Sequence, residues 1–139
     1  MQDKPLKNVL IVGCGYIGRR VAARLLPEKS MVSGVVRSPD SMEKLADAGI
    51  RAIYADLDRL PPEIDWGRSP ADVFYFAPPP ASGELDLRMR AFLARLPGRL
   101  TVRRCVYIST SAVYGDCHGD WITEAQPPAP TTARGWRRL

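Results

Sequence analysis

Short apolar runs alternate along the chain with segments whose apolar residues recur at helical spacing. The runs are short and rich in β-branched and aromatic residues, which predicts strands over 8–12, 31–37, 51–56, 72–77 and 104–109. The segments between them predict helices over 16–26, 38–49 and 83–96. Prolines and a glycine interrupt residues 57–71, so we expect an irregular crossover there.

The same spacing predicts which helical residues share a face. In the first helix, Ile17, Val21 and Leu25 fall on one face. In the third helix, we expect the inward side chains to be Leu85, Met89, Phe92, Leu93 and Leu96.

Strands that alternate with helices indicate βαβ units, a parallel sheet and helices on both of its faces. Because such crossovers are right-handed, we expect a doubly wound, Rossmann-like α/β fold with strand order 3-2-1-4-5. We assign residues 1–115 to this domain and residues 116–139 to a loop-rich tail. Ligands of such sheets bind outside the carboxyl ends of the strands, at the switch point between strands one and four.

The motif GCGYIG places Gly13, Gly15 and Gly18 in GxGxxG spacing between the first strand and the first helix. Gly13 permits a tight turn, Gly15 lets the backbone approach a pyrophosphate, and Gly18 lets the helix pack close to the strand. Tyr16 and Ile17 open the helix, whose free N–H groups and positive dipole favour phosphates. This context predicts a dinucleotide site; a glycine turn that serves only close packing is the alternative.

The end of the second strand favours NADP, with NAD as the alternative. An NAD site usually carries an acid about 20 residues after the glycines, which binds the ribose 2′-hydroxyl. Here the strand ends in Arg37 and Ser38. A guanidinium at this position can bind a 2′-phosphate with paired hydrogen bonds. A solvated surface charge is the alternative for Arg37.

The third strand ends in Asp56 and Leu57. An aspartate at that edge can accept a hydrogen bond from the adenine amine while the leucine packs on the ring. An aspartate that only starts a loop is the alternative.

Composition and charge restrict the partners further. The chain has 139 residues, 45% of them hydrophobic and 25% charged, with a net charge of +5. No apolar run reaches the roughly 20 residues of a membrane helix. Basic residues are interleaved with acids and form no aromatic–basic stripe, so we expect no nucleic-acid partner. Three cysteines without a CxxC pair, and no signal-like segment, favour a cytoplasmic protein without disulfides or a metal site.

Four stretches carry a family resemblance: GCGYIG, ADLD, FYFAPPP and YISTSAVYGD. Over nearly its full length the chain resembles the extended short-chain dehydrogenase/reductase superfamily, of the NAD-dependent epimerase/dehydratase type. The resemblance implies that Thr110, with Ser111 beside it, is the catalytic hydroxyl that binds a substrate carbonyl or hydroxyl group. It also implies that Ala77, Pro78 and Pro79 line the nicotinamide ribose. A turn that satisfies its own backbone is the alternative for the hydroxyls.

The chain departs from that superfamily at the proton-transfer pair, a tyrosine and a lysine in YxxxK spacing. Thr131 stands where the tyrosine would be, and Gly135 or Trp136 stands where the lysine would be. A threonine hydroxyl cannot replace a phenol with a pKa of about 10. Tyr114 is a candidate substitute, although the tyrosine of VYG more often packs structurally. The chain therefore resembles an atypical subgroup that keeps the cofactor fold without the usual pair.

Extended members of the superfamily are considerably longer and add a C-terminal substrate domain. We therefore expect this chain to be an N-terminal portion, with that domain absent and the fifth strand left as an open edge. Arg137, Arg138 and Leu139 would then begin a helix with nothing to pack on. The resemblance also implies a homodimer through helices that flank the sheet.

Two functions stay open at this point. The first is an NAD(P)-dependent oxidoreductase or epimerase-like enzyme that acts on an unknown small molecule; this chain alone is expected to be inactive. The second is a non-catalytic NADP-binding module that senses redox state or regulates a partner. A methyltransferase or the ligand-binding domain of a transport regulator is a third alternative. Arg37 argues against it, because both would usually carry an acid at that position.

Overall fold

The computed structural model describes residues 7–139. Its strands are β1 (Asn8–Val12), β2 (Met31–Val36), β3 (Arg51–Tyr54), β4 (Ala71–Tyr75) and β5 (Val102–Tyr107). Its helices are α1 (Tyr16–Leu25), α2 (Pro39–Asp47), α3 (Leu87–Ala94) and α4 (Ala133–Trp136), with short 3₁₀ turns over Leu26–Glu28 and Ser111–Tyr114. The strands form one parallel sheet in the order β3-β2-β1-β4-β5, which confirms the predicted doubly wound Rossmann-like fold.

Side-chain caps decide where α2 and α3 begin. The Ser38 hydroxyl accepts a hydrogen bond from the Ser41 N–H at 3.2 Å, and α2 starts at the next residue. The Asp86 carboxylate accepts from the Met89 N–H at 3.0 Å, and α3 starts one residue later. As a result α3 is shorter than the predicted 83–96. No helix of residues 7–139 is long and apolar enough to cross a membrane.

Apolar layers cover both faces of the sheet. The layer under α1 and α2 contains Val9, Ile11, Cys14, Ala22, Val32, Val36, Leu45 and Ile50. The layer under α3 and the irregular residues 55–70 is built around Trp66, Tyr75 and Phe92. The Trp66 and Phe92 rings meet edge to face with centroids 5.1 Å apart. The irregular crossover thus supplies a large part of the second layer.

The buried face predicted for the third helix is wrong at two positions. Leu85 and Leu93 are each 48% exposed, whereas Phe92 is 1% exposed. Met89 and Leu96 are partly buried and pack against the core cluster that contains Phe92. Leu85 precedes the Asp86 cap, so it has no helical phase to share with the later residues. A helix of only eight residues then rests on the sheet along one narrow stripe.

The expectation that the last residues have nothing to pack on is wrong for both arginines. Thr132 caps α4 by accepting from the Gly135 N–H at 3.2 Å, and the chain turns back onto the end of β5. The Arg137 guanidinium donates to the Gly83 carbonyl. The Arg138 side chain is 9% exposed, and its guanidinium lies 5.0 Å from the centroid of the Tyr107 ring. Within the described chain, β5 pairs on one side only, as expected for an edge strand.

We expect Phe92→Ala to lower the free energy of unfolding by about 3–5 kcal/mol, because it removes a buried ring that contacts Trp66 and Tyr75. Leu93→Ala on the same helix is the matched control, with a loss of about 1 kcal/mol or less because Leu93 is half exposed. Urea denaturation followed by circular dichroism measures both. Equal losses would contradict the placement of the helix stripe.

Candidate functional site

A cleft of about 460 Å³ opens at the carboxyl ends of β1 to β4. The strand order reverses between β1 and β4, which is where this fold predicts a ligand. Most of the predicted cofactor residues line the cleft: Gly13, Gly15, Tyr16, Ile17, Arg37, Asp56, Leu57, Ala77 and Pro78. Gly18, Ser38 and Pro79 are not among its lining residues.

The three glycines of the turn have different surroundings. A Cβ atom on Gly13, which has a φ of +82°, would lie 2.5 Å from the Ala77 backbone nitrogen. A Cβ atom on Gly18 would lie 2.9 Å from Cγ2 of Ile11, so α1 packs closely on β1 as predicted. A Cβ atom on Gly15 would meet no atom within 4 Å. Two of the glycines therefore serve packing, and Gly15 leaves open space in the cleft wall.

The N-terminus of α1 borders this space without a side-chain cap. Gly15 is the cap residue, and the first turn carries no acid. The N–H groups of that turn are therefore available to an anion, and the helix dipole favours one. Ile17, which was predicted as a cofactor residue, is 48% exposed and lines the cleft.

The end of β2 places a cation on the cleft wall. Arg37 follows Val36 and lines the cleft, and it makes no hydrogen bond or salt bridge with any other residue of the described range 7–139. Asp40, the next acid along the chain, pairs with Lys44 at 2.6 Å and does not line the cleft. No carboxylate at this strand end therefore competes for the guanidinium.

Ser38 is engaged by its own helix, and Ser41 takes its place at the cleft. The Ser38 hydroxyl accepts from the Ser41 N–H and donates to Ser41 Oγ at 2.8 Å. Ser41 lines the cleft, although it was not predicted as a site residue. Its position three residues after a capping serine at a strand end is the signal that could have identified it.

Asp56 starts the loop after β3 and also lines the cleft. Its Oδ1 accepts from the Asp58 N–H at 3.0 Å, which is the local turn of a loop-starting aspartate. It also lines the cleft, next to Leu57.

Arg88 in the first turn of α3 is a cleft residue that no local pattern marks. Its Nε and Nη2 atoms donate to the two Asp58 carboxylate oxygens at 2.7 and 2.6 Å, and Nη1 donates to the Pro78 carbonyl at 3.0 Å. The hydrogen bonds from Arg88 hold the pKa of Asp58 below its usual range. Because Asp58 lies 30 residues away along the chain, only the tertiary fold brings the pair together.

The hydroxyl residues after β5 lie outside this cleft. Thr110 Oγ1 accepts from the Ala112 N–H at 3.4 Å as the cap of the 3₁₀ turn. Thr110 and Ser111 line a second cleft of about 470 Å³, which Arg134 also lines. Ile108 is the member of this segment that lines the first cleft. Tyr114 lines neither.

Of the two positions where the lysine was expected, Trp136 is 47% exposed, whereas Gly135 leaves no space for a side chain. A Cβ atom on Gly135 would lie 2.5 Å from the Ala112 carbonyl oxygen and 2.8 Å from Cβ of Pro130. Helix α4 therefore packs on the 3₁₀ turn with backbone against backbone. A lysine at Gly135 would therefore require α4 to move.

The first cleft combines apolar walls with two arginines and one aspartate. Its charged side chains are Arg37, Arg88 and Asp56. Cys14 also lines it, but burial raises the pKa of this thiol to about 11, so it stays protonated and unreactive near neutral pH. Residues 7–139 contain no group of three or more His, Cys, Asp or Glu side chains that could hold a metal ion.

Comparison with known proteins supports a dinucleotide-binding module. Residues 9–60, from β1 into the crossover after β3, match the TrkA-N domain family. Curated proteins give no significant match. A functionally unknown conserved protein from Silicibacter pomeroyi DSS is 31% identical, with a TM-score of 0.74 over 94% of this chain and 46% of its own. A candidate epimerase from Burkholderia cenocepacia J2315 is 22% identical, with a TM-score of 0.64 over 94% of this chain and 46% of its own.

The chain thus spans about half the length of these two solved structures, 46% in each case. They share its Rossmann-like fold, and the TrkA-N match covers the glycine turn and Arg37. These findings support an NAD(P)-binding Rossmann module. Membership in the short-chain dehydrogenase/reductase superfamily stays a prediction.

We expect Gly13→Ala to lower the free energy of unfolding by about 2 kcal/mol or more, because the new Cβ meets backbone and the φ is positive. Gly15→Ala is the matched control and should cost no more than about 1 kcal/mol, since its Cβ points into open space. Thermal and urea denaturation measure both variants. A reversed order would contradict the backbone contact between the turn and β4.

Proposed function

We propose that this chain is the NADP-binding portion of an epimerase/dehydratase-like oxidoreductase. The observation that carries the proposal is the Arg37 guanidinium, which is free of ion pairs within residues 7–139 and lies on the wall of the cleft around the glycine turn. A 2′-phosphate is the group that distinguishes NADP from NAD, and a planar guanidinium binds it with paired hydrogen bonds. The fold and the TrkA-N match support the dinucleotide itself.

The residues present fit such a cofactor. The pyrophosphate would lie against Gly15 and the uncapped N-terminus of α1. The 2′-phosphate would accept from Arg37 and from Ser41, whose oxygen already accepts from Ser38 so that its own proton is free to be donated.

The remaining predicted residues would contact the two ends of the cofactor. Asp56 and Leu57 would contact the adenine, and Ala77 and Pro78 the nicotinamide ribose; the predicted Pro79 lies outside the lining of the cleft. When bound, NADP(H) supplies hydride-transfer chemistry. The residues of this chain bind and orient it.

Arg37→Gln tests the proposal directly. We expect this variant to weaken NADPH binding about 10- to 100-fold, because it removes charge-assisted hydrogen bonds to a phosphate. NADH lacks the 2′-phosphate, so its affinity should change by no more than about twofold. Both affinities are measured by titrating the 139-residue chain with each dinucleotide and recording nicotinamide fluorescence or the heat of binding.

Arg24→Gln is the matched control, since Arg24 lies in the last turn of α1 and does not line the cleft. It should leave both affinities unchanged. An equal loss of NADPH and NADH binding in Arg37→Gln would contradict a 2′-phosphate role. A folded chain that binds neither dinucleotide would contradict the site as a whole.

A second candidate function, a non-catalytic NADP-binding or redox-sensing module, is favoured by the surroundings of Gly135 and Thr110. The lysine of a proton-transfer pair has no space at Gly135. The Thr110 hydroxyl caps a 3₁₀ turn and lines a cleft separate from the one that contains the glycine turn. A module of this kind would use the cofactor cleft without the hydroxyl.

Thr110 therefore distinguishes the two candidates. We expect Thr110→Ala to lower the free energy of unfolding by about 1 kcal/mol through loss of the cap, while Thr110→Ser retains it. NADPH affinity should be unchanged in both, because the residue does not line the first cleft. Thermal melts and NADPH titration measure these quantities. Because this chain alone is expected to be inactive, the rate is measured on a longer form that includes the substrate domain. Carbonyl reduction, monitored by NADPH absorbance, that Thr110→Ser keeps and Thr110→Ala loses would favour the enzyme.

A further inference from the structure

Arg88 joins the two loops that border the cofactor cleft. It contacts Asp58 on the loop after β3 through two hydrogen bonds, at 2.7 and 2.6 Å. On the loop after β4 it contacts the Pro78 carbonyl at 3.0 Å and the Pro79 carbonyl at 3.4 Å. The Arg88 side chain is 17% exposed and that of Asp58 45%. All three nitrogens of the guanidinium are thus engaged by protein groups, although the residue lines the cleft.

The carboxylate that Arg88 holds is on the loop after β3. Strand β3 pairs with β2, with Tyr54 beside Val36, and Arg37 directly follows Val36. Asp58 donates its N–H to Asp56, which lines the cleft together with Arg37. The positive charge of Arg37 reaches Asp58 and helps to keep the pKa of its carboxyl low, after the larger effect of the Arg88 hydrogen bonds. Without Arg88, this carboxylate would be a competing partner for Arg37. It would also be an uncompensated negative charge near the expected position of the 2′-phosphate.

We propose that Arg88 is a specificity-determining positioning residue. By holding Asp58, it leaves the Arg37 guanidinium free for the 2′-phosphate and so maintains the preference for NADP(H). This inference rests on the proposed function and adds to it Arg88, which acts on the phosphate site through Asp58. Arg88 needs no contact with the phosphate, because its N–H groups are directed to Asp58 and to the proline carbonyls.

A purely structural role for Arg88 predicts a different result. The bonds to Pro78 and Pro79 hold the wall that is expected to line the nicotinamide ribose, a group that NADPH and NADH share. If that were the only role, loss of Arg88 would weaken both dinucleotides by the same factor. The ratio of the two affinities therefore separates the roles.

The experiment titrates the 139-residue chain and its variants with NADPH and with NADH. We expect Arg88→Met to weaken NADPH binding about tenfold while NADH changes by no more than about twofold, because only the 2′-phosphate meets the released carboxylate. Adding Asp58→Asn to Arg88→Met should bring the NADPH affinity back to within about threefold of the wild type. Arg90→Met, on the exposed side of the same helix, is the matched control and should change neither affinity.

Two results would overturn the inference and leave the role of Arg37 standing. One is a parallel loss of NADPH and NADH binding in Arg88→Met, and the other is a loss of NADPH binding that Asp58→Asn does not restore. A wild-type chain without a preference for NADPH would overturn the proposed function, and the inference with it.

Asp58→Asn alone provides an independent test if Arg88→Met does not fold. This substitution is on a half-exposed loop residue and leaves Arg88 bonded to the proline carbonyls. The preference for NADPH should be kept or increased, because a negative charge near the phosphate is removed while both arginines remain. A decrease in that preference would overturn the inference.

Discussion

Backbone hydrogen bonds around Gly13 join the ends of β1, β2 and β4, and the candidate site depends on them. The N–H groups of Gly13 and Cys14 donate to the Val35 carbonyl at the end of β2, at 3.2 and 2.9 Å. The N–H groups of Phe76 and Ala77 donate to the carbonyl of Val12 at the end of β1. Gly13 and Ala77 approach so closely that no Cβ fits between them. Side chains are thus excluded from the point where the strand order reverses, and the cleft that remains is open to a ligand.

Carboxylates bind several of the arginines elsewhere in the described chain, which limits what the net charge can indicate. Asp72 holds both Arg103 and Arg104 at the start of β4, at 2.7 and 2.9 Å, and these bonds keep its pKa well below the usual range. Asp58 in turn holds Arg88. The ion pairs of Asp72 thus join β4 to β5, and the ion pair of Asp58 joins the loop after β3 to α3. Arg37 differs because the described chain offers it no such partner, and a free guanidinium on a concave wall is more informative about a ligand than the total of +5.

The features that could be predicted from sequence are those encoded by residues close together in the chain. Strand runs, the glycine spacing and Arg37 after β2 all lie within single βα units, and the right-handed crossover rule then gives the strand order. Arg88 could not be predicted because its partner Asp58 is 30 residues away. The buried position of Arg138 depends on Tyr107 and Ala77, which belong to other strand ends. The face of α3 was predicted incorrectly because Asp86 starts the helix later than the apolar spacing implies.

Cofactor binding and proton transfer place different demands on this fold. The structural change that each would require can be compared. A hydroxyl can leave a helix cap at a cost of about 1 kcal/mol, so the hydrogen bond of Thr110 to Ala112 is a small obstacle to contact with a substrate. The contact between Gly135 and Ala112 is a large obstacle to a lysine at this position, because any side chain there would have to displace α4 from the 3₁₀ turn. The cleft around Gly13 needs neither rearrangement. Binding of a dinucleotide therefore requires less of this fold than the usual chemistry of the superfamily that it resembles.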